Sequence, residues 1–129
     1  MVVVSAHGGN GEGLTLFRER CQADGDDVLI WSATTPGGDA HAGRSETSMV
    51  LAIDPGAVRT DLAEAGCTDP IEFILPRLRA EGVRPVSSNG VLGDPRGASA
   101  AEGELLLAAL TMDLVEAVDA HWPMVGRPA

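Results

Sequence analysis

Met1-Val2-Val3-Val4-Ser5-Ala6 opens the chain as a short apolar run with no polar alternation. Such a run predicts a strand buried on both faces of a parallel sheet, because a half-buried strand alternates apolar and polar residues. His7-Gly8-Gly9-Asn10 follows, and Asn10 is placed to cap a helix from Glu12 to Ala23 whose apolar face carries Leu14, Leu16 and Phe17. Gly25-Asp26-Asp27 breaks that helix, and Val28-Leu29-Ile30-Trp31-Ser32 reads as a second buried strand. Strand, helix and strand within about thirty residues predict a crossover unit and a mainly parallel sheet, hence an α/β fold.

Beyond this unit, Ala33 to Arg44 reads as a long loop. A helix starts near Ser45, carries Met49, Val50, Leu51 and Ile53, and is stopped by Asp54-Pro55. Ala57 to Ala65 is a weak amphipathic stretch. Pro70 to Val86 reads as irregular, with room for a short helix through Phe73, Leu75 and Leu78. Ser99 and Glu102 spell a Ser-x-x-Glu capping box that opens the strongest helix, ending near His121. Its apolar face holds Leu105, Leu106, Ala109, Leu110, Leu114 and Val118. The tail from Pro123 is expected to be short and loose. Two strands make a thin sheet, and Met1 already stands inside what reads as a central strand. A single domain over residues 1–129 is expected, forming the later part of a doubly wound fold. Its open sheet edge would favour association with another copy or another chain.

Composition narrows the chemistry. A hydrophobic content of 44% indicates a globular chain. A formal net charge of -10 argues against a nucleic-acid partner, because phosphate neutralisation needs a cationic face. All nine basic residues are arginine, which excludes a phosphate-loop lysine, a Schiff-base lysine and a lysine general base. Cys21 and Cys67 match no metal-ligand spacing and read as reduced thiols. No window has the length and hydropathy of a membrane span or a secretory leader, so no membrane partner and a cytoplasmic location are expected.

The candidate site lies in two glycine-flanked turns. His7 follows the first strand, and His41 lies in Gly37-Gly38-Asp39-Ala40-His41-Ala42-Gly43 after the second. Ligands of open α/β sheets bind beyond the carboxyl ends of the strands, so the two imidazoles are expected to converge there. Gly8 and Gly9 permit close backbone approach, and Asn10 can orient a ligand or the loop itself. Glu46 stands in the first turn of its helix, where the macrodipole favours an ionised carboxylate, whether or not that carboxylate meets a cation. His121 sits at a helix carboxyl end and reads as structural, and Asp94 in Gly93-Asp94-Pro95 reads as a turn former. No register of Gly8 to Gly13 gives a dinucleotide loop. Neither a His-Glu-x-x-His helix nor a Gly-x-Ser-x-Gly elbow is present.

Three ordered pieces carry a resemblance to the creatininase family of metal-dependent amidohydrolases. They are His7-Gly8-Gly9-Asn10, then Asp39-Ala40-His41-Ala42-Gly43 with Glu46-Thr47-Ser48, and Gly90-Val91-Leu92-Gly93-Asp94-Pro95 followed by Ala98 and Gly103. The wording of Pro36-Gly37-Gly38-Asp39, Leu75-Pro76 and Gly90 to Pro95 resembles most the mycofactocin-system branch, peptidases that trim a modified ribosomal peptide in redox-cofactor biosynthesis. The resemblance implies a three-layer α/β/α fold, of which this chain would be a part. It also implies a homo-oligomer, a peptide or small amide substrate, and a site for two divalent metal ions. His7, Glu46 and Asp39 would be metal ligands on this reading, and His41 the acid/base group that protonates the leaving amine. Gly8, Gly9 and Asn10 would form the loop beside the substrate. Nitrogen and oxygen donors suit zinc, manganese or ferrous iron alike.

The pattern also departs from the family. The Glu-x-His-Gly-x-His motif and the later aspartate of such enzymes have no counterpart here, and Gly9 stands where creatininase itself has a glutamate. The chain is therefore expected to be the carboxyl-terminal part of such an enzyme, inactive alone. The expected reaction of the whole is release of a C-terminal dipeptide core from the precursor peptide. The alternatives are a non-catalytic fragment or interaction subunit, and a creatinine-type cyclic amidohydrolase.

Overall fold

A computed structural model describes residues 1–123, and the expectation for the tail past Pro123 concerns residues outside that range. The chain divides into two compact units, Met1–Thr34 with Ala109–Ala129, and Thr35–Ala108. The longest helix, α4 (Ala100–His121), begins in the second unit and ends in the first.

In the first unit β1 (Val2–Ser5) and β2 (Leu29–Ser32) pair in parallel, in the register Val2↔Leu29 to Ser5↔Ser32. The helix α1 (Gly11–Asp24) links them, so the expected strand–helix–strand unit and the α/β class are what the chain adopts. Gly25 ends α1 in a left-handed conformation (φ 77°), with its N–H on the Gln22 carbonyl at 3.2 Å and the Asp26 N–H on Cys21 at 2.8 Å. This double bond pattern satisfies the last helical carbonyls and suits glycine, which has no Cβ to clash.

Two details differ from expectation. Val2 and Val4 on β1 are exposed (38% and 56%), so the valine run is not covered on both faces by the described residues. Asn10 makes no side-chain cap bond to α1; it closes the 3-10 turn Gly8–Asn10 with helical dihedrals (φ -79°, ψ -7°), and its amide N–H donates to the Ser5 hydroxyl at 3.2 Å.

Trp31 is the buried anchor of β2, 9% exposed, and its indole N–H donates to Asp113 of α4 at 2.7 Å. At the end of α4 the His121 ring lies 2.8 Å from Asp27, which also accepts the Trp122 indole N–H. The Trp122 bond first, and His121 second, hold the Asp27 carboxyl below its ordinary value.

The second unit begins with the loop from Thr35 and then α2 (Arg44–Ile53), ended by Asp54-Pro55. Two single 3-10 turns, Pro55–Ala57 and Thr60–Leu62, replace the amphipathic stretch. The short helix allowed for through Phe73, Leu75 and Leu78 is present as α3 (Ile71–Glu81), longer than expected, with Pro76 in its interior and Ile74 buried at 4%. Burial of Ile74 offsets the backbone bond that the proline removes.

The capping box at the head of α4 is half made. Ser99 Oγ accepts the Glu102 N–H at 3.2 Å, but the Glu102 carboxylate turns instead to Arg44 Nε (2.8 and 3.0 Å) and Ser48 Oγ (3.3 Å). Ser48 Oγ takes the Ser99 N–H in its place, at 3.1 Å. Ser48 is fully buried, and a Cβ on Gly103 would fall 1.9 Å from its carbonyl oxygen, so α2 and α4 cross backbone to backbone at that pair. No helix among the described residues is long and apolar enough to cross a membrane.

Candidate active site

His41 is held by its backbone. Its N–H and carbonyl form an antiparallel bridge with Leu92, at 3.1 and 2.8 Å, and the Ala40 N–H shares the Leu92 oxygen at 3.0 Å. On its other side the same segment takes the Gly66 N–H on Gly93 and the Cys67 N–H on Val91, both at 3.0 Å. Leu92, buried at 6%, and buried Gly93 beside half-buried Val91 form the rung that fixes the loop, while the His41 side chain stays 54% exposed. A reactive group on a fixed support but open to solvent is what acid/base chemistry requires.

The turn after His41 is strained. Ala42 has φ 52°, a left-handed value that costs an L-residue roughly 1–2 kcal/mol. Its N–H donates to Glu46 Oε2 at 2.6 Å, and the same oxygen lies 3.3 Å from His41 Nδ1. Glu46 thus stands within ion-pair distance of His41, from the first turn of α2.

Asp39 is placed differently from a projecting ligand. One carboxylate oxygen, Oδ2, accepts the Arg44 N–H, the first orphan amide of α2, where Gly43 offers no side chain to do so. A Cβ on Gly43 would lie 2.1 Å from that oxygen, and one on Gly93 would lie 2.5 Å from the Asp39 Cβ. Asp39 is therefore wedged between two glycines and caps α2. Against its backbone lies a cleft of about 340 Å³ lined by Asp39, Ala40, Thr68, Asp69, Glu72 and Leu92.

His7 belongs to the first unit, directly after β1. It leads into a 3-10 turn (Gly8–Asn10), with its carbonyl accepting the Asn10 N–H at 3.1 Å. The ring is folded over Gly9: a Cβ there would sit 2.5 Å from Nε2, so a side chain at position 9 would push the imidazole aside. Gly8 meets no such neighbour.

The structure therefore brings Asp39, His41 and Glu46 together in the second unit, and His7, Gly8, Gly9 and Asn10 in the first. Among the described residues no three His, Cys, Asp or Glu side chains are grouped as a metal ion would need. The donors of this chain do not by themselves fit the implied pair of cations. Ala42, Leu92 and Gly93 support His41 and were not singled out from the sequence as supports. The glycine-bracketed apolar pair Val91-Leu92 was the available signal.

Asp94 behaves as a turn former. It accepts the Arg96 N–H at 3.0 Å and pairs with its guanidinium at 2.7 and 2.8 Å, which holds its carboxyl down to about 2.

A parallel strand–helix–strand unit, followed by a rigid histidine loop feeding a helix that opens with a carboxylate, defines a known class. The sequence model of the creatininase family (creatinine amidohydrolase) matches residues 1–118, and the chain belongs to that family. Among its relatives, the mycofactocin precursor peptide peptidase of Mycobacterium tuberculosis H37Rv is 45% identical over 122 residues. That of Mycobacterium ulcerans is 46% identical over 123. Each alignment takes in 95% of this chain and 48% of the relative, so the chain spans about half the length of the curated relatives it matches. A crystal structure of a presumptive creatinine amidohydrolase from Bacteroides fragilis NCTC 9343 superposes with a TM-score of 0.68 at 23% identity. It covers 98% of this chain and 55% of that one, and it shows the shared fold.

Proposed function

We propose that the chain supplies the His41 half of a hydrolytic site for an amide or peptide bond. The whole protein would be a metal-dependent peptidase acting on the mycofactocin precursor peptide, releasing its C-terminal dipeptide core. The observation that carries this reading is the His41 loop: a half-exposed imidazole on a buried rung, with a carboxylate 3.3 Å from Nδ1. Relatives that are 44–46% identical bear the peptidase name, which favours a peptide over creatinine as substrate.

His41 is the group that gives a proton to the departing amine, a step worth about 10²–10⁴-fold when a side chain is positioned for it. A cleft lies against Asp39 and Ala40, the residues just before His41 in the chain, and is the candidate seat for the peptide. His7, Glu46 and Asp39 remain the chain's proposed donors toward divalent cations. Zinc, manganese and ferrous iron are the candidates. The rest of the donor set would come from polypeptide outside this sequence. A homo-oligomer and a cytoplasmic location belong to the same proposal.

The test measures bound metal and hydrolysis of a C-terminally modified peptide. It compares the 129-residue chain alone with a full-length protein that carries it. The expected result is turnover by the full-length protein only, lost by at least about 100-fold in His41→Ala. Full activity of the 129-residue chain alone, or retained activity after His41→Ala, refutes the reading.

A further inference from the structure

We infer that Asn89 is a modification site whose side-chain amide is hydrolysed to aspartate or isoaspartate when its loop opens, and that the native fold holds this reaction back. Both asparagines of the chain precede glycine, as Asn10-Gly11 and Asn89-Gly90. Glycine has no Cβ to shield its nitrogen, so the open dipeptide permits a ring closure that bulkier neighbours hinder. The Gly90 nitrogen attacks the Asn89 side-chain carbonyl carbon, its proton leaves with the amide as ammonia, and a five-membered succinimide closes. Water then opens one imide bond to give aspartate or the other to give isoaspartate. One water enters, one ammonia departs, and no oxidant or reductant is needed.

The folded loop engages every atom of that first step. The nucleophile is occupied, because the Gly90 N–H donates to the Ser87 carbonyl at 3.1 Å. The electrophile is held in place: Asn89 Oδ1 accepts the Ser87 hydroxyl at 2.8 Å and the Val91 N–H at 3.1 Å. The leaving nitrogen faces the Ala65 and Glu64 carbonyls, at 3.3 and 3.5 Å. The Val91 N–H can only donate and the two carbonyls can only accept, so the partners settle which way the amide points. Asn89 is exposed to water, whereas Ser87 is buried at 5% and anchors the arrangement. Protection therefore comes from restraint of the reacting atoms.

The product does not suit the loop. A carboxylate at position 89 still accepts from Ser87 and Val91, but it brings charge and no proton against two carbonyl oxygens. Those carbonyls directly precede Gly66 and Cys67, whose N–H groups reach Gly93 and Val91 at 3.0 Å. Asn89 thus ties residues 64–67 to the strip whose Leu92 bridges His41. Modification releases one edge of that support, and refolding cannot restore it.

The experiment holds the 129-residue chain at mildly alkaline pH, folded and in concentrated guanidinium chloride, and follows the two asparagine peptides by mass spectrometry. In denaturant both should be modified at similar rates. In the folded chain Asn89 should react at least about 10-fold more slowly than in denaturant, because the reaction waits on opening. Ser87→Ala should raise the folded rate several-fold and leave the denatured rate unchanged. Equal rates at Asn89 with and without denaturant overturn the inference. So does an intact Asn89 in denaturant where Asn10 is consumed, or a folded rate that Ser87→Ala does not move. If Ser87→Ala does not fold, the wild-type comparison still decides. Asn89→Asp, which makes the product directly, should speed amide hydrogen exchange at Gly66 and Cys67 by about 10-fold while Leu29 to Ser32 keep their rates. Unchanged exchange at Gly66 and Cys67 refutes the loosening.

Discussion

Substituting Gly103 by alanine tests the crossing of α2 and α4 directly. The new Cβ would fall 1.9 Å from the Ser48 carbonyl oxygen, 2.4 Å from its carbon and 2.9 Å from the Met49 nitrogen, all of them backbone atoms that cannot rotate away. Real contacts of this kind essentially never come under 3.0 Å, so α4 must retreat by about 1 Å. That retreat stretches the Ser48–Glu102 and Ser48–Ser99 hydrogen bonds, now 3.3 and 3.1 Å. Overpacking costs about 1–3 kcal/mol and each weakened bond up to about 1 kcal/mol, against a gain of about 1 kcal/mol for alanine over glycine in a helix. The net expectation is a loss of about 2 kcal/mol, a fall in the thermal midpoint of roughly 6–10 °C. Gly13→Ala in α1 is the control, because nothing lies within 4 Å of its Cβ, and it should stabilise by about 0.5 kcal/mol. Thermal unfolding followed by far-ultraviolet circular dichroism reads both. A Gly103→Ala chain as stable as the wild type, or shifted upward with Gly13→Ala, refutes the crossing.

Three further substitutions have definite signs. Gly25→Ala puts a Cβ at φ 77° in open space, so it should cost about 1–2 kcal/mol from backbone strain alone, measured by urea unfolding. Asp113→Ala leaves the buried Trp31 N–H without its 2.7 Å acceptor and should cost about 1–3 kcal/mol; an unchanged urea midpoint would count against that bond. The Asp94 carboxyl is depressed by Arg96, so its folded pKa lies below the unfolded value of 3.8. The stabilisation it gives is therefore complete above that value and disappears as pH falls through about 2. Arg96→Ala should return the carboxyl toward 3.8 in an NMR titration, and a midpoint that stays near 2 would show that the guanidinium is not the cause.

The parts of the fold legible in sequence were those with local punctuation. Gly25 after α1 and Asp54-Pro55 after α2 each act within one turn of the helix they end, and both boundaries stand where those residues put them. What escaped depended on a preceding turn or on distant partners. Asn10 has the residue type of a helix cap, but the 3-10 turn it closes gives it helical dihedrals, and it makes no cap bond. Glu102 completes the spelling of a capping box, yet Arg44 and Ser48, more than fifty residues earlier, claim its carboxylate. After Pro70 the sequence left room for a short helix through Phe73, Leu75 and Leu78, and α3 contains all three, but its extent over Pro76 to Glu81 rests in part on the burial of Ile74, which has no local signature. At the site, His41 and Glu46 could be named from type and spacing. The reach of Asp39 to Arg44 requires the left-handed turn at Ala42, which an alanine does not announce.

Both tryptophans, Trp31 and Trp122, belong to the first unit, and each indole donates to an aspartate there. The unit that carries His41 is therefore optically silent near 295 nm excitation, about where indole alone absorbs. Intrinsic emission will report the melting of the strand pair and leave the loss of the histidine loop unseen. A denaturation curve taken by fluorescence should be set beside a backbone signal before either is read as the behaviour of the whole chain.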